Sequence, residues 1–505
     1  MVSFDPNFSV EAGESQEPLS ASAGRGRRRM RRAIAYKVLI LIFLVTLPLS
    51  NPWVRGDGVG YYAYIRAVLI EHDLNFEYDW LHANPSFRLG RVDAEGRLTP
   101  ENYTATHHIN NHFSVGPAIL WAPFLMAVHG LILGLNHWGG HFQADGYSRP
   151  YMITMAVATA IYGIGSLCFS FALARKYVEE RWALIATIGV WFGSSLLVYM
   201  YLNPSWSHAH SAFAVGLFLW YWQRTMEHRS IIQWAALGAI SGLMIDIYYP
   251  NALFLMMPGL EAVVDYAQSY RKGEKRFPSM IQTACGHLSY LTVTGIVLLP
   301  TFATRHIIYG NAFNSGYTES WFWTSPKLVQ VLFSSNHGLF SWTPLLMPAV
   351  FGLALTWKQN RLVAISSVSV FLAFLYLIAS YQNWDGISSF GNRFFISLTP
   401  LFVLGLAMTL KFFSDFFVSR RRALLTAVLF VSLFILWNFG FVLQWGMHLI
   451  PVRGPIVWRT VAYNQFVVVP RRIVSTARGY FFQRTDLMQR IEREDIKQLN
   501  QESSE

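Results

Sequence analysis

The chain has 505 residues, 53% of them hydrophobic and 14% charged, with a formal net charge of +11 and a mean hydropathy of +0.30. Soluble domains carry about 25% charge, so a soluble fold is excluded. Apolar runs of roughly 17 to 25 residues recur along the chain and predict an all-α polytopic transmembrane bundle of about 11 to 13 spans. Barrel segments, about ten residues long with period-two alternation, are not what is written here.

In chain order, residues 1–24 are polar and rich in Ser, Gly and Glu, the composition of a disordered segment. Arg25, Arg27, Arg28, Arg29, Arg31 and Arg32 follow, and residues 1–32 read as a basic cytoplasmic N-terminus. The first span, 33–50, has a long polar lead and no small-residue cleavage site after it, so it is not read as a cleaved signal. Residues 51–113 form a long polar loop on the outer side. Within it, Tyr61, Tyr64, Ile65 and Val68 share one face of a helix expected to lie in the interface plane. The apolar stretch 113–135 contains Pro117 and Pro123. To keep the later connectors in register it must begin and end on the outer side, as a broken or re-entrant element.

Further spans are expected near 151–174, 183–202, 208–223, 231–249, 252–267, 281–301, 338–357, 362–380, 394–410 and 423–444. Their alternate connectors are basic, from Arg175, Lys176 and Arg181 to Arg420, Arg421 and Arg422. That clustering is orientation chemistry, so the net charge does not signal nucleic acid. Residues 33–444 then make one transmembrane domain, and 445–505 an outer, partly amphipathic tail whose arginines run against the positive-inside trend. Cys168 and Cys285 both fall within apolar spans and define no disulfide framework.

Asp57 is the leading candidate for chemistry. It sits in Gly56-Asp57-Gly58-Val59-Gly60-Tyr61-Tyr62, just past the first span on the outer face, where a carboxylate can serve as a base toward lipid-linked substrates. A helix cap is the plainer role for the same residue. His107, His108 and His112 precede the Pro117 element. They are candidates for contact with substrate or phosphate; imidazole also suits several divalent ions, but the spacing matches no zinc signature, so no metal is expected and the cofactor is left open. In Asn203-Pro204-Ser205-Trp206-Ser207-His208-Ala209-His210, Asn203 and Ser205 can cap the next helix, while Asn203, His208 and His210 are placed to line a cavity. The run Ser334 to Pro344 enters a span from outside, and its first amides with His337 can receive a phosphate. The polar loop 381–393 carries Trp384 and Asp385 and ends at Arg393. A cation at that boundary needs an anionic partner: a lipid phosphate, Asp385 or Asp57. Asp246, inside a span, must face a cavity. Asn102-Tyr103-Thr104 is a weak glycosylation sequon.

The cytoplasmic N-terminus, the first outer loop with Asp57, the juxtamembrane helices and the many-span body resemble the C-type (GT-C) membrane glycosyltransferase superfamily, which includes the protein O-mannosyltransferases and the lipid A aminoarabinose transferase. The Asn-His-Phe-Ser-Val-Gly-Pro stretch and the Ser-Ser-Phe-Gly-Asn-Arg loop are similar to those of bacterial glycosyltransferase-like membrane proteins. The resemblance covers the order of elements over 33–444, and only Asp57 maps onto a catalytic position. Members often carry two acidic residues at that turn and a Lys-Pro-Pro stretch before the second span; here glycines flank Asp57, and Val115-Gly116-Pro117 lacks the lysine. The resemblance implies transfer of a sugar from a polyprenyl-phosphate donor to a glycan, lipid or protein acceptor, on the outer face of a bacterial inner membrane in the cell envelope. Asp57 is then the base of an inverting displacement. The alternative is a lipid or glycan transporter or flippase without catalysis, with Asp246, His208 and His210 along its path. Such a protein predicts an internal repeat, and none is evident.

Overall fold

A computed structural model describes residues 34–226, 229–271 and 277–502. The polar leader and the arginine cluster before the first span lie outside the described residues. Within them the fold is all-α, with isolated β-bridges and no named strand. The principal helices are α1 (Ile34–Leu49), α2 (Asp57–Arg66), α3 (Gly116–His137), α4 (Arg149–Ala174), α5 (Glu180–Phe192), α6 (His208–Thr225), α7 (Ile231–Ile247) and α8 (Met256–Arg271). They continue as α9 (Phe277–Val297), α10 (Leu299–Tyr309), α11 (Leu346–Leu355), α12 (Arg361–Ser380), α13 (Thr399–Ser414), α14 (Arg420–Gly446), α15 (Val469–Phe482) and α16 (Arg484–Glu502). Among the described residues, six helical runs are long and apolar enough to cross a membrane: α3, α4, the α9–α10 run, α12, α13 with its entry turn, and α14. With the shorter apolar helices α1, α7 and α11, they make a multi-pass membrane protein.

Several expected spans are interrupted, each for a local reason. The run 183–202 stops at Phe192 and resumes as a π-turn, Val198–Leu202. Asn438 of α14 caps the break, its amide donating to the carbonyls of Phe192 (2.8 Å) and Ser194 (3.1 Å). The run 338–357 is a four-residue turn, Leu339–Trp342, followed by α11, because Pro344 cannot continue the first helix. No extended helix therefore begins at Ser334 to offer its amides to a phosphate. Pro250 likewise turns the start of the 252–267 run into 3-10 helix, Tyr249–Leu255.

The expected break at 113–135 is absent. Residues Gly116–His137 form one unbroken helix with Pro117 in its first turn and Pro123 inside. Tyr162 of the neighbouring α4 donates to the Leu120 carbonyl at 2.9 Å, beside the gap Pro123 leaves in the ladder. Both ends of α3 nevertheless meet the first loop. Phe113, just before it, packs on Tyr61 (4.9 Å between rings). The connector after it is held by Tyr62 donating to Gly146 O (2.5 Å), Arg66 Nε donating to Asp145 O (3.2 Å) and Tyr147 donating to Asp79 (2.6 Å).

Two of the basic connectors are tied to neighbouring helices. Lys176 donates to the carbonyl of Gln223, and Arg229 pairs with Glu261 at 2.8 Å. The densest packing lies between α11 and α13, between α7 and α9, and between α4 and α6. Gly352 and Gly405 let α11 and α13 approach so closely that an added methyl on either would overlap backbone carbonyl oxygen of the other helix.

Candidate active site

The site begins with a turn. Gly56 adopts φ +54°, and α2 starts at the next residue, so Asp57 stands in the first helical turn and Gly56 at the cap. That left-handed geometry suits glycine. At Gly58 a side chain would overlap Ser205. The glycines thus let the 203–207 turn close against the start of α2. Trp206 completes the closure, its indole N–H donating to the Arg55 carbonyl at 3.0 Å. The rest of α2 is buried on every side, from Gly58 to Arg66. It is a packed core helix and not the interface-plane helix the spacing predicted.

Asp57 Oδ2 pairs with Arg393 Nη2 at 3.0 Å. The carboxylate is 30% exposed and the guanidinium 11%, so the acid is the more accessible partner and the cation lies behind it. Arg393 lies over the Trp206 ring, 4.3 Å from its centroid, and Asp57, Tyr61, Tyr199 and Tyr248 surround it electrostatically. Its Nε is buried without a protein partner, which leaves donor capacity after the ion pair is made. Of the two carboxylates the sequence offered Arg393, Asp57 and Asp385, the structure pairs it with Asp57.

Asp385 instead accepts from the Asn336 amide (2.7 Å) and the Ile387 N–H (3.1 Å). His337 is fully buried with φ +54°, its ring 4.6 Å from that of Trp342. Neither ring nitrogen has a protein partner, and Asn336 Oδ1 and Asn392 Oδ1 are likewise unpaired. Burial, with a smaller push from the Arg393 charge and against the pull of Asp385, lowers the His337 pKa to about 4, so it is neutral at pH 7. Trp384 is buried near Lys327, whose ammonium lies 5.9 Å from its ring centre.

The histidines divide. His112 is held beside Phe113 (4.2 Å) and Tyr317 (4.8 Å), where the charges of Asp57 and Glu319 act on it, and burial lowers its pKa. His107 and His108 belong to a different turn, anchored by Thr104 and Thr106 donating to the Ile308 carbonyl (2.7 and 2.5 Å). His108 instead lines a shallow groove with Val68, His72, Asp73, Leu74 and Ile307. The three do not converge, and no group of three or more His, Cys, Asp or Glu able to hold a metal occurs among the described residues. His208 packs edge-on against Tyr199 at 4.7 Å, within electrostatic reach of Arg393. Asn203 is buried, its backbone shaping the turn behind Trp206, and no side-chain cap forms at the start of α6. His210 is wedged between Trp121 and Tyr162, and Asp246 accepts from Thr301 (2.5 Å) behind the start of α3. Both are fully buried. The sequon Asn102 is spent on structure: its amide donates to Arg91 O (2.8 Å) and to Thr99.

Two contributors escaped the sequence reading. Trp206 was quoted there only as part of a turn. Arg305, at the end of an apolar run like Arg393, clamps the segment before α3 by donating to the carbonyls of Asn111 (2.9 Å), His112 (2.8 Å) and Phe113 (2.8 Å). The boundary-cation argument applied to Arg393 would have singled it out.

No family model matches the chain, and no curated protein matches it. Among solved structures it is similar to the archaeal oligosaccharyltransferase AglB from Archaeoglobus fulgidus, in complex with an inhibitory peptide and a dolichol-phosphate, with a TM-score of 0.47 and 13% identity over 87% of this chain and 54% of that one. It is also similar to ArnT from Cupriavidus metallidurans bound to undecaprenyl phosphate, with a TM-score of 0.43 and 14% identity over 86% of this chain and 74% of that one. The apo state of ArnT gives 0.46 and 12%, over 88% and 75%. The chain spans about half the length of the archaeal protein. The functional reading rests on the residues of the site.

Proposed function

We propose that the chain is an integral-membrane glycosyltransferase that moves a sugar from a polyprenyl-phosphate donor to an acceptor hydroxyl on the outer face of a bacterial inner membrane. One observation carries the reading: a partly exposed carboxylate, Asp57, is backed by a buried guanidinium with an unused donor, inside a shell of tyrosines and Trp206. Asp57 takes the acceptor proton as the oxygen attacks the anomeric carbon. The bond from that carbon to the phosphate oxygen breaks, and its electrons leave with the polyprenyl phosphate. The Nε of Arg393 donates to the departing phosphate while Nη2 keeps Asp57 aligned, so the charge that develops meets a preorganised donor. One base and one direct displacement give inversion.

The transport alternative lacks comparable support. Asp246 and His210 are sealed in packing, and His208 stacks within the same aromatic shell as Arg393. The test is transfer by the purified protein from a panel of polyprenyl-phosphate sugars, with wild type and Asp57→Asn side by side. Turnover should fall by about 10² to 10⁴, the usual contribution of a positioned base. Near-normal transfer by Asp57→Asn would remove Asp57 from the mechanism.

A further inference from the structure

The C-terminal segment carries a feature that catalysis does not use. Between Trp458 and Phe482 the sequence holds Arg459, Arg471, Arg472 and Arg478 and no Asp or Glu. At helical spacing, Phe466, Pro470, Ile473, Val474, Ala477 and Phe481 fall on one stripe. Most of that stripe faces away from the protein: Val474 is 77% exposed and Phe466 74%, with Ile473 and Phe481 at 47%. The adjacent side of α15 is the one that docks. Val469 and Gly479 are buried, Thr476 donates to the sulfur of Met447 (3.0 Å), and Tyr480 donates to the carbonyl of Leu49 (2.5 Å). Met447 follows the end of α14 and Leu49 closes α1, so α15 is pinned where two apolar helices terminate on the Asp57 face. Arg471 and Arg478 project from the far flank of the stripe, both exposed and in no ion pair among the described residues.

We propose that α15 lies in the plane of the membrane surface, its stripe in the acyl boundary, with Arg471 and Arg478 binding the headgroups of anionic phospholipid. The level of the helix follows from its anchors. Its occupant follows from an exposed apolar stripe flanked by cation in a stretch without a single acid, the pattern of a helix held by burial together with attraction to anionic lipid. A cationic tail against the positive-inside trend then has a partner outside the protein.

The test uses the full chain in nanodiscs of phosphatidylcholine with phosphatidylglycerol. Spin labels are placed singly at Val474→Cys, on the stripe, and Ser475→Cys, on the flank. The Val474 label should be open to oxygen and shielded from a water-soluble nickel chelate, and the Ser475 label the reverse. Equal chelate access at both sites would overturn the in-plane placement. Dipolar coupling between Val474 labels on two chains would overturn it in favour of a second copy as the occupant. Native mass spectrometry of wild type and Arg471→Gln/Arg478→Gln then reads retained lipid. Enrichment of phosphatidylglycerol over phosphatidylcholine should drop several-fold, since each basic residue at an anionic surface is worth about five-fold in binding. Unchanged enrichment would overturn the headgroup assignment.

Discussion

At the scale of single residues, the pairing of Asp57 with Arg393 sets the expectations. Arg393→Lys keeps a positive charge but loses the fork that serves two acceptors at once. It should retain part of the donor affinity, whereas Arg393→Ala should weaken donor binding far more than acceptor binding, measured by equilibrium binding of each substrate. Equal donor affinity in Arg393→Ala and wild type would leave Arg393 a structural partner of Asp57 only. Asp57→Glu should restore part of the activity lost in Asp57→Asn, since one methylene moves the carboxylate by about an ångström. His337 supplies a pH prediction. Its folded pKa is about 4, below the usual 6.5. The unfolded chain therefore binds the proton more readily, and stability present above pH 6.5 is lost as pH falls toward 4. His337→Asn tolerates the left-handed backbone and removes the titration. Its melting temperature should decline less than that of wild type between pH 6.5 and 4; identical declines would show that His337 does not titrate there.

At the scale of elements, small residues decide how the bundle closes. Gly405 of α13 sits against the Ala349 carbonyl of α11, and a methyl group there has no room to form without moving backbone. Gly405→Ala should therefore cost about 1 to 3 kcal/mol, the range for overpacking a filled interior, read as a lower melting temperature in detergent. An unchanged melting temperature would mean that the two helices can slide apart. The C-terminal helix α16 works at the same scale. Glu492 accepts from the Asn84 amide (2.6 Å) and the Ser86 N–H (2.7 Å), while Asn84 Oδ1 receives the Gly56 N–H (3.2 Å). Arg55, two residues before Asp57, pairs with Asp495. The tail thus braces the turn that carries Asp57. Such bracing was not legible in the sequence, because nothing in the 484–502 pattern names a partner more than four hundred residues upstream.

At the scale of the whole molecule, the open question for experiment is which segments share a side of the membrane. The contacts of Arg66, Tyr62 and Asp79 with residues 145–147 place the connector after α3 with the first loop. Single cysteines at Gly140, Asn311 and Gln489 should therefore react with a membrane-impermeant maleimide from the outside of intact cells. Cysteines at Gln359 and Asp415 should react only after permeabilisation. If Gly140→Cys labels with Asp415→Cys, α3 crosses completely and the arrangement of the first loop is different.

The sequence by itself determined the solvent. Apolar runs of spanning length are a property of composition along the chain, and they gave an all-α membrane protein and most helix positions before any packing was known. It also marked Asp57, because a carboxylate in a glycine turn beside a span stands out locally. Tertiary structure alone decided the rest. Residues Gly116–His137 form one unbroken helix despite Pro123, packed against α4 with the Tyr162 hydroxyl on the Leu120 carbonyl. The buried α2 is surrounded by aromatic side chains from distant segments, which a one-sided periodicity does not reveal. Arg393 chose Asp57 over Asp385, and His112 parted from His107 and His108, because ion pairs and sites are fixed by which loops the bundle brings together, and spacing along the chain carries no record of that.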